Sequence, residues 1–244
     1  MIVTTTHTPA PLKLDGTRNT RELGGYPTPR GLTATGRVLR SDAMARLSEA
    51  DKAFLYTYGV RRVVDLRGVF EVHNAPCGLS GYKDVEVFSV SLLDNIHSEG
   101  LAGKFPSSMG ELYCGLLEKS GAKIMQALRL ISEAEGVTIV NCTAGKDRTG
   151  ILSMLLLALA GVTEDEILGD YSVTEINLGD MFKRQMEKAK GTDVKIPEFV
   201  FRSEPKNMET ALTWIKDNHG NAVEYCRANG LSEEELSRLQ TKLL

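Results

Sequence analysis

Two periodicities of hydrophobic residues alternate along this chain and predict an alternation of strands and helices. Short blocks rich in β-branched residues, at positions 60–66 and 137–140, are typical of buried strands, and residues 84–90 alternate apolar and polar side chains as a half-buried strand does. Residues 109–134 repeat their apolar positions at helical spacing, and residues 151–160 form an apolar run of good helix formers. Strands that alternate with helices indicate an α/β domain with a central, mostly parallel sheet.

The rest of the chain fits a single domain, because it contains no repeat and no clear linker. Residues 1–14 form a polar lead-in, and the domain is expected to span residues 15–244. Ser48 followed by Asp51 predicts a helix that begins with a capping box. Further helices are predicted after Thr163 and, towards the end of the chain, at residues 178–190, 207–218, 220–229 and 231–244.

Composition and charge exclude several classes of function. With 244 residues, 42% of them hydrophobic, and a formal net charge of -3, the chain is an ordinary globular protein for which nucleic acid is not expected as the main partner. The longest apolar run, at residues 151–162, is shorter than the ~20 residues that span a bilayer. Four widely spaced cysteines predict no zinc site and fit a reduced compartment. No signal peptide is recognisable, so we expect a cytoplasmic protein, with signal-independent secretion left open.

The chain is organised around a loop between a predicted strand and an apolar helix. Cys142 lies at one end of this loop, Arg148 follows six positions later, and small residues lie between them. A strand, a tight loop and a helix start form an anion cradle, because backbone N–H groups and the positive end of the helix dipole favour negative charge there. A Walker phosphate loop is excluded, since Gly145 and Lys146 are followed by Asp147 instead of Ser or Thr.

Each residue type in this cradle suits a chemical role. A helix N-terminus and an arginine both lower the pKa of a thiol from about 8.5, and the thiolate is the nucleophilic form, so Cys142 is the predicted nucleophile. Arg148 carries a planar fork that can hold two phosphoryl oxygens and stabilise the charge of the transition state. Thr149 is expected to place a hydroxyl beside the sulfur. Gly145 is expected to let the backbone approach the ligand closely.

The string Cys142-Thr-Ala-Gly-Lys-Asp-Arg-Thr-Gly150 resembles the signature loop of the cysteine-dependent protein-tyrosine phosphatase superfamily, in its branch of bacterial tyrosine/serine and phosphoinositide phosphatases. Residues 39–42, 65–67 and 170–171 also match that branch, and residues 19–25 resemble its N-terminal motif, with Thr20 in place of Phe and Glu22 in place of Asp. The resemblance implies an α/β, protein-tyrosine-phosphatase-like fold with helical lid insertions. It also implies hydrolysis of phosphomonoesters through a thiophosphoryl-cysteine intermediate, without metal or cofactor.

The resemblance further implies which residues bind the substrate phosphate, namely Thr143, Ala144, Gly145, Lys146, Asp147, Arg148 and Thr149. The substrates it implies are phosphorylated proteins (on tyrosine, or on serine or threonine) or phosphoinositides, and phosphate-like oxyanions are expected to inhibit. Lys146 would add a second positive charge at the mouth, which favours multiply phosphorylated substrates. The alternative is that Lys146 is a solvated surface lysine.

Two carboxylic acids are candidates for the general acid that protonates the leaving group. Asp147 is preferred, because the branch carries an Asp at this position of the phosphate loop, next to Arg148. Asp94 is the second candidate, since most of the superfamily takes its acid from a separate loop in this part of the chain. A general acid must lie about 2.6–3.2 Å from the leaving oxygen, a test that requires coordinates.

The chain departs from the family at Asn141, where a histidine normally precedes the nucleophile. Asparagine donates hydrogen bonds but cannot carry charge. A non-catalytic phosphate-binding module is therefore the alternative interpretation. A sulfurtransferase or arsenate reductase ranks lower, because no second cysteine lies next to Cys142 in the sequence.

Charged residues outside the loop are expected to be structural. Arg21 and Arg40 are expected to form ion pairs that hold the N-terminal segment on the core, and Asp65 is expected to pair with Arg67 or Arg40. Residues 95–108 are expected to form an irregular loop that borders the site. The Met and Phe side chains of the region that follows residue 180 either pack on the core or belong to a lid that contacts the substrate.

Overall fold

The computed structural model describes residues 7–92, 106–190 and 196–244 of the chain. Helices surround a central five-stranded sheet, and a short two-stranded hairpin lies apart from it. The strands are β1 (Arg21–Glu22), β2 (Pro27–Thr28), β3 (Gly31–Leu32), β4 (Val38–Ser41), β5 (Val60–Asp65), β6 (Glu86–Ser89) and β7 (Val137–Asn141).

The five-stranded sheet has the order β1-β4-β7-β5-β6, with β1 antiparallel to β4 and the other neighbours parallel. Asn141 at the end of β7 pairs with Ser41 of β4 on one side and with Asp65 of β5 on the other. The carboxyl ends of three parallel strands therefore meet at one edge, where open α/β sheets bind ligands. The mostly parallel α/β fold that the sequence indicates is confirmed.

Nine α-helices and one 3₁₀ turn occupy the described part of the chain. The helices are α1 (Glu49–Thr57), α2 (Val69–Asn74), α3 (Met109–Lys119), α4 (Gly121–Ser132), α5 (Asp147–Ala160), α6 (Glu164–Lys190), α7 (Pro205–His219), α8 (Ala222–Ala228) and α9 (Glu233–Leu243), and the 3₁₀ turn is Glu198–Phe201. None of the helices in the described residues is long and apolar enough to cross a membrane.

Local signals in the sequence predict most of these helix boundaries. The hydroxyl of Ser48 accepts a hydrogen bond from the N–H of Asp51, whose carboxylate accepts one from the N–H of Ser48, so the predicted capping box is present. The break near Ser120 separates α3 from α4 as expected. The amphipathic segment 178–190 is the second half of α6, which continues through Gly179 without interruption.

The strands place alternate side chains in two cores, one on each face of the sheet. Val64 and Val140 belong to the larger core with α3, α4 and α5, whereas Val63 and Ile139 belong to the smaller core under α1. α5 is buried on nearly every side, as its apolar run predicts. Leu14 packs into the smaller core, so the end of the N-terminal lead-in is attached to the domain.

Buried ion pairs attach the N-terminal segment to the core, as expected. The carboxylate of Asp170 on α6 accepts from Arg21 Nε at 3.0 Å and from Arg40 Nη1, and both arginines are fully buried. Asp65 at the end of β5 pairs with Arg67 at 2.7 Å. The expected ion pairs of Arg21 and Arg40, and the expected pairing of Asp65 with Arg67, are confirmed.

Replacing Asp170 with asparagine is expected to lower the free energy of unfolding by about 3–5 kcal/mol, because two buried guanidinium groups would lose their anion. Burial opposes the ionisation of Asp170, but the two arginines prevail and lower its pKa. Its contribution to stability is therefore full at neutral pH and is lost as the pH falls below about 3.9 and through the lowered pKa.

Urea unfolding of Asp170→Asn beside Asp180→Asn measures this effect. Asp180 is an exposed carboxylate on the same helix, so its loss is expected to change the free energy by less than about 0.5 kcal/mol. Equal stabilities of the two variants would contradict the anchoring role of Asp170.

Candidate active site

The loop after β7 carries the predicted nucleophile and leads directly into α5. This helix begins at Asp147, so Arg148 and Thr149 lie in its first turn. The N–H groups of a first turn have no partner within the helix, and the helix dipole is positive there. The loop and the helix start together form a cradle that suits an anion.

Cys142 lies at the base of this cradle, at the carboxyl end of β7. Its exposed fraction is 2%, and it packs in the larger core as a free thiol. Burial disfavours the charged guanidinium of Arg148, but Glu71 and the neighbouring Cys142 raise the pKa of Arg148 above its ordinary value. The arginine is therefore a permanent cation beside a recessed cysteine.

Glu71 on α2 holds the guanidinium of Arg148 in a two-point ion pair. Its Oε2 and Oε1 lie 2.6 Å and 2.9 Å from Nη1 and Nη2 of Arg148. The hydroxyl of Thr143 donates to the same carboxylate, which also accepts from the N–H of Gly68 at 2.9 Å. Among the described residues, Nε of Arg148 has no hydrogen-bond partner, so it keeps the capacity to donate to a ligand.

Glu71 is a residue of the site that sequence reasoning missed. Partial burial raises its pKa, but hydrogen bonds from Arg148 and Thr143 outweigh burial and lower the pKa to about 2. The carboxylate is therefore ionised throughout the neutral range. The one signal in the sequence was its position shortly after the family match at residues 65–67, whereas Arg148 lies 77 positions away.

Asp147, the preferred candidate acid, lies at the first position of α5 with its side chain 26% exposed. Its Oδ1 accepts a hydrogen bond from the hydroxyl of Tyr113 at 2.5 Å, and Tyr113 contacts the hydroxyl of Tyr171 at 2.7 Å. Burial, followed by the nearby carboxylate of Asp147, raises the pKa of Tyr113 well above its usual value, so Tyr113 remains a hydrogen-bond donor. Asp94, the second candidate, lies outside the described residues, as does most of the expected loop at 95–108.

Lys146 is not a solvated surface lysine, and its Nζ lies 3.5 Å from Oδ1 of Asp147. It is 1% exposed, and its Nζ donates to the carbonyl oxygens of Val200 and Arg202, the latter at 2.9 Å. The ring of Phe182 lies 5.6 Å from Nζ. The solvated alternative is wrong because the 3₁₀ turn and the residue after it, which are distant in sequence, supply carbonyl acceptors for the buried ammonium group. A contribution of Lys146 to phosphate binding stays a prediction.

Gly145 is required by the packing of the loop against the sheet. Its φ of +63° lies in the left-handed region, and a Cβ at this position would lie 2.5 Å from the carbonyl oxygen of Ser41. The close approach that the glycine permits is therefore to the end of β4. Whether it also brings the backbone close to a ligand stays a prediction.

Two buried polar groups beside the nucleophile have no hydrogen-bond partner among the described residues. They are the side-chain amide of Asn141, at both its oxygen and its nitrogen, and the hydroxyl of Thr149. Buried polar groups are normally paired, so both groups retain bonding capacity next to the cradle. Thr149 lies in the first turn of α5, and the position of its hydroxyl beside the sulfur stays a prediction.

The apolar residues beyond residue 180 pack together beside the loop. Phe182 and Phe201 are buried with ring centroids 6.3 Å apart, and Leu178 completes their cluster. Ala144 of the loop packs against this cluster. These side chains were expected either to pack on the core or to belong to a lid that contacts the substrate. Phe182 and Phe201 are buried by packing.

Comparison with known proteins identifies the family. Residues 12–244 match the sequence profile described as the tyrosine phosphatase family. A tyrosine-protein phosphatase of Nostoc commune is 28% identical over 222 residues, which cover 84% of this chain and 73% of that protein. Triple specificity protein phosphatase PtpB of Mycobacterium tuberculosis is 24% identical over 275 aligned positions, which cover 95% of this chain and 98% of that protein. The chain therefore belongs to the tyrosine phosphatase family.

A putative tyrosine-protein phosphatase of Cupriavidus necator is 30% identical over 167 residues, which cover 66% of this chain and 61% of that protein. Membership of the family confirms the predicted class, a hydrolase of phosphoric monoesters of the protein-tyrosine or dual-specificity type. Among the described residues, no group of three or more His, Cys, Asp or Glu side chains is arranged to hold a metal ion.

Replacing Glu71 with glutamine is expected to lower kcat/KM by about 10- to 100-fold, because Arg148 would lose the ion pair that orients its fork. The measurement is hydrolysis of p-nitrophenyl phosphate at pH 6–7, together with inhibition by inorganic phosphate, which is expected to weaken as well. Glu86→Gln is the control, since it removes a comparable carboxylate bound to Arg62 at the far edge of the sheet. Tighter inhibition by phosphate in Glu71→Gln would instead mean that Glu71 competes with the ligand.

Proposed function

We propose that this protein hydrolyses phosphotyrosine in proteins with Cys142 as nucleophile. The observation that carries the proposal is the position of a recessed cysteine at the carboxyl edge of the sheet, next to an arginine whose fork Glu71 already holds. The sulfur attacks phosphorus while the bond from phosphorus to the ester oxygen breaks. Arg148 and the amides of the loop and of the first turn of α5 hold the non-bridging oxygens.

The leaving oxygen takes its electron pair from the broken bond and a proton from Asp147. Tyr113 donates to one oxygen of this carboxyl group, which leaves the other oxygen to carry the proton towards the leaving group. In the second step water attacks phosphorus, the bond between sulfur and phosphorus breaks, and the carboxylate of Asp147 takes the proton of the water. Inorganic phosphate leaves, and the thiolate is restored.

The recess of the site supports phosphotyrosine as the substrate class. Cys142 is 2% exposed, so an ester on a long, flat side chain reaches it more readily than an ester on a short one. The ammonium group of Lys146, which was expected to favour multiply phosphorylated substrates such as phosphoinositides, is instead bonded to carbonyl oxygens. Phosphoserine peptides and phosphoinositides therefore serve as the comparison substrates. A cytoplasmic location is supported by the four cysteines, all of them free thiols.

Cys142→Ser is expected to abolish turnover and to leave phosphate binding in place. The measurement is hydrolysis of p-nitrophenyl phosphate from pH 4.5 to 8, with and without EDTA, since no step of the mechanism uses a metal ion. Cys114→Ser is the matched control, because Cys114 is also a free thiol and its Sγ faces the carbonyl oxygen of Thr210 on α7. Equal and negligible turnover of wild type and Cys142→Ser would favour the non-catalytic phosphate-binding module, which Asn141 keeps as the alternative.

Asp147→Asn is expected to lower kcat for phenyl phosphate by about 100-fold or more, because a phenolate is a poor leaving group without a proton donor. The loss with p-nitrophenyl phosphate is expected to be smaller, since that leaving group needs less protonation. Asp94→Asn, measured in parallel, is expected to change both rates by less than about threefold. A large loss of rate in Asp94→Asn, with little change in Asp147→Asn, would instead identify Asp94 as the general acid.

A further inference from the structure

Two side chains from the N-terminal half of the chain bind the phosphate loop from behind. Asn19 Nδ2 donates to the carbonyl oxygens of Ala144 and Gly145, each at 3.2 Å, and Arg40 Nη2 donates to the carbonyl oxygen of Gly145 at 2.7 Å. Asn19 and Arg40 are both fully buried. The rear of the loop is therefore held by three hydrogen bonds, one of them from a permanent cation.

These bonds determine the direction of two peptide groups. In a trans peptide the C=O of one residue and the N–H of the next point in opposite directions, and the described residues contain no cis peptide. Because the carbonyl oxygens of Ala144 and Gly145 point towards Asn19 and Arg40, the N–H groups of Gly145 and Lys146 point away from them, towards the front of the loop. A carbonyl group that accepts a strong hydrogen bond also polarises its own peptide, which makes the N–H of that peptide a better donor.

The charge on Arg40 reaches the loop because Asp170 cannot neutralise both of its arginines. Two buried guanidinium groups share this one carboxylate, and the described residues place no second carboxylate within ion-pair distance of either arginine. Burial, followed by repulsion from Arg40, lowers the pKa of Arg21 to about 10, as expected where positive charge is in excess. The Nη2 atom of Arg40 carries part of this positive charge and donates to the carbonyl oxygen of Gly145.

We propose that Arg40 and Asn19 are positioning residues that orient and polarise the N–H groups of Gly145 and Lys146 towards a bound oxyanion. They would thereby compensate from behind the loop for the charge that Asn141 cannot carry next to Cys142. This inference rests on the proposed function of the loop as the site of the phosphoryl group. In this proposal the N-terminal segment has an electrostatic role at the site in addition to its attachment to the core.

The test compares Arg40→Met, Arg40→Lys and Asn19→Ala with wild type. The first readout is the affinity for inorganic phosphate by calorimetry, and the second is the pH dependence of the alkylation of Cys142 by iodoacetamide. Arg40→Met is expected to weaken phosphate binding by about 10-fold or more, the effect of losing a charged hydrogen bond. It is also expected to move the alkylation profile to higher pH. Arg40→Lys keeps the charge and is expected to restore part of both effects.

Tyr26→Phe is the control, because the hydroxyl of Tyr26 donates to Asp170 at 3.0 Å in the same buried network but does not contact the loop. It is expected to lower stability while keeping phosphate affinity within about threefold of wild type. Equal losses of phosphate affinity in Tyr26→Phe and Arg40→Met would overturn the proposal, because they would reveal a purely structural role.

Asn19→Ala is the second variant if Arg40→Met does not fold. It removes two neutral hydrogen bonds to the loop, and the bond that Asn19 accepts from Arg21, while the ion pair of Arg40 stays intact. An affinity and an alkylation profile equal to those of wild type would overturn the proposal. A wild-type protein that binds phosphate without turnover would refute the proposed function alone, and the comparison of variants would still apply. A wild-type protein that does not bind phosphate would overturn the inference.

Discussion

The carboxylate of Asp170 is the interaction on which the rest of the structure depends, because it joins elements that lie far apart in the sequence. It stands on α6 and accepts hydrogen bonds from Arg21 of β1, from Arg40 of β4 and from Tyr26 at the end of the N-terminal segment. A buried charge is tolerated only while it is paired. Neither the N-terminal segment nor α6 can separate from the sheet without leaving such a charge unpaired, so the surroundings of the phosphate loop are fixed.

The phosphate loop lies between two ion-pair systems of opposite character. Behind it, Arg40 and Asp170 are fully buried, and Arg40 binds the carbonyl oxygen of Gly145. In front of it, Glu71 binds Arg148 with about a third of its side chain exposed. The rear pair is costly to break, because it is fully buried. The front pair is open to water on the side of its carboxylate only, since the side chain of Arg148 is 8% exposed. The two pairs therefore hold the loop and its arginine from opposite sides.

The sequence predicts the features that depend on neighbours in the chain. The helix cap at Ser48, the alternation along the strands and the spacing of Cys142 and Arg148 are all local, and the structure places each of them as expected. Glu71 and Lys146 are different, because their partners lie more than 50 residues away. Periodicity indicates which apolar side chains are buried, but the burial and the direction of a charged group depend on acceptors that only the folded chain brings near.

The direction of Lys146 limits how much positive charge the site offers to a substrate. Its ammonium group is buried and holds two carbonyl oxygens, so turning it towards a ligand would leave those acceptors unpaired. Within the described loop, Arg148 is then the cationic side chain whose fork remains partly open. One guanidinium and a row of backbone amides match a single phosphoryl group. Val69 and Phe70, the two exposed residues before Glu71 on α2, add apolar surface instead of charge next to the residue that holds Arg148.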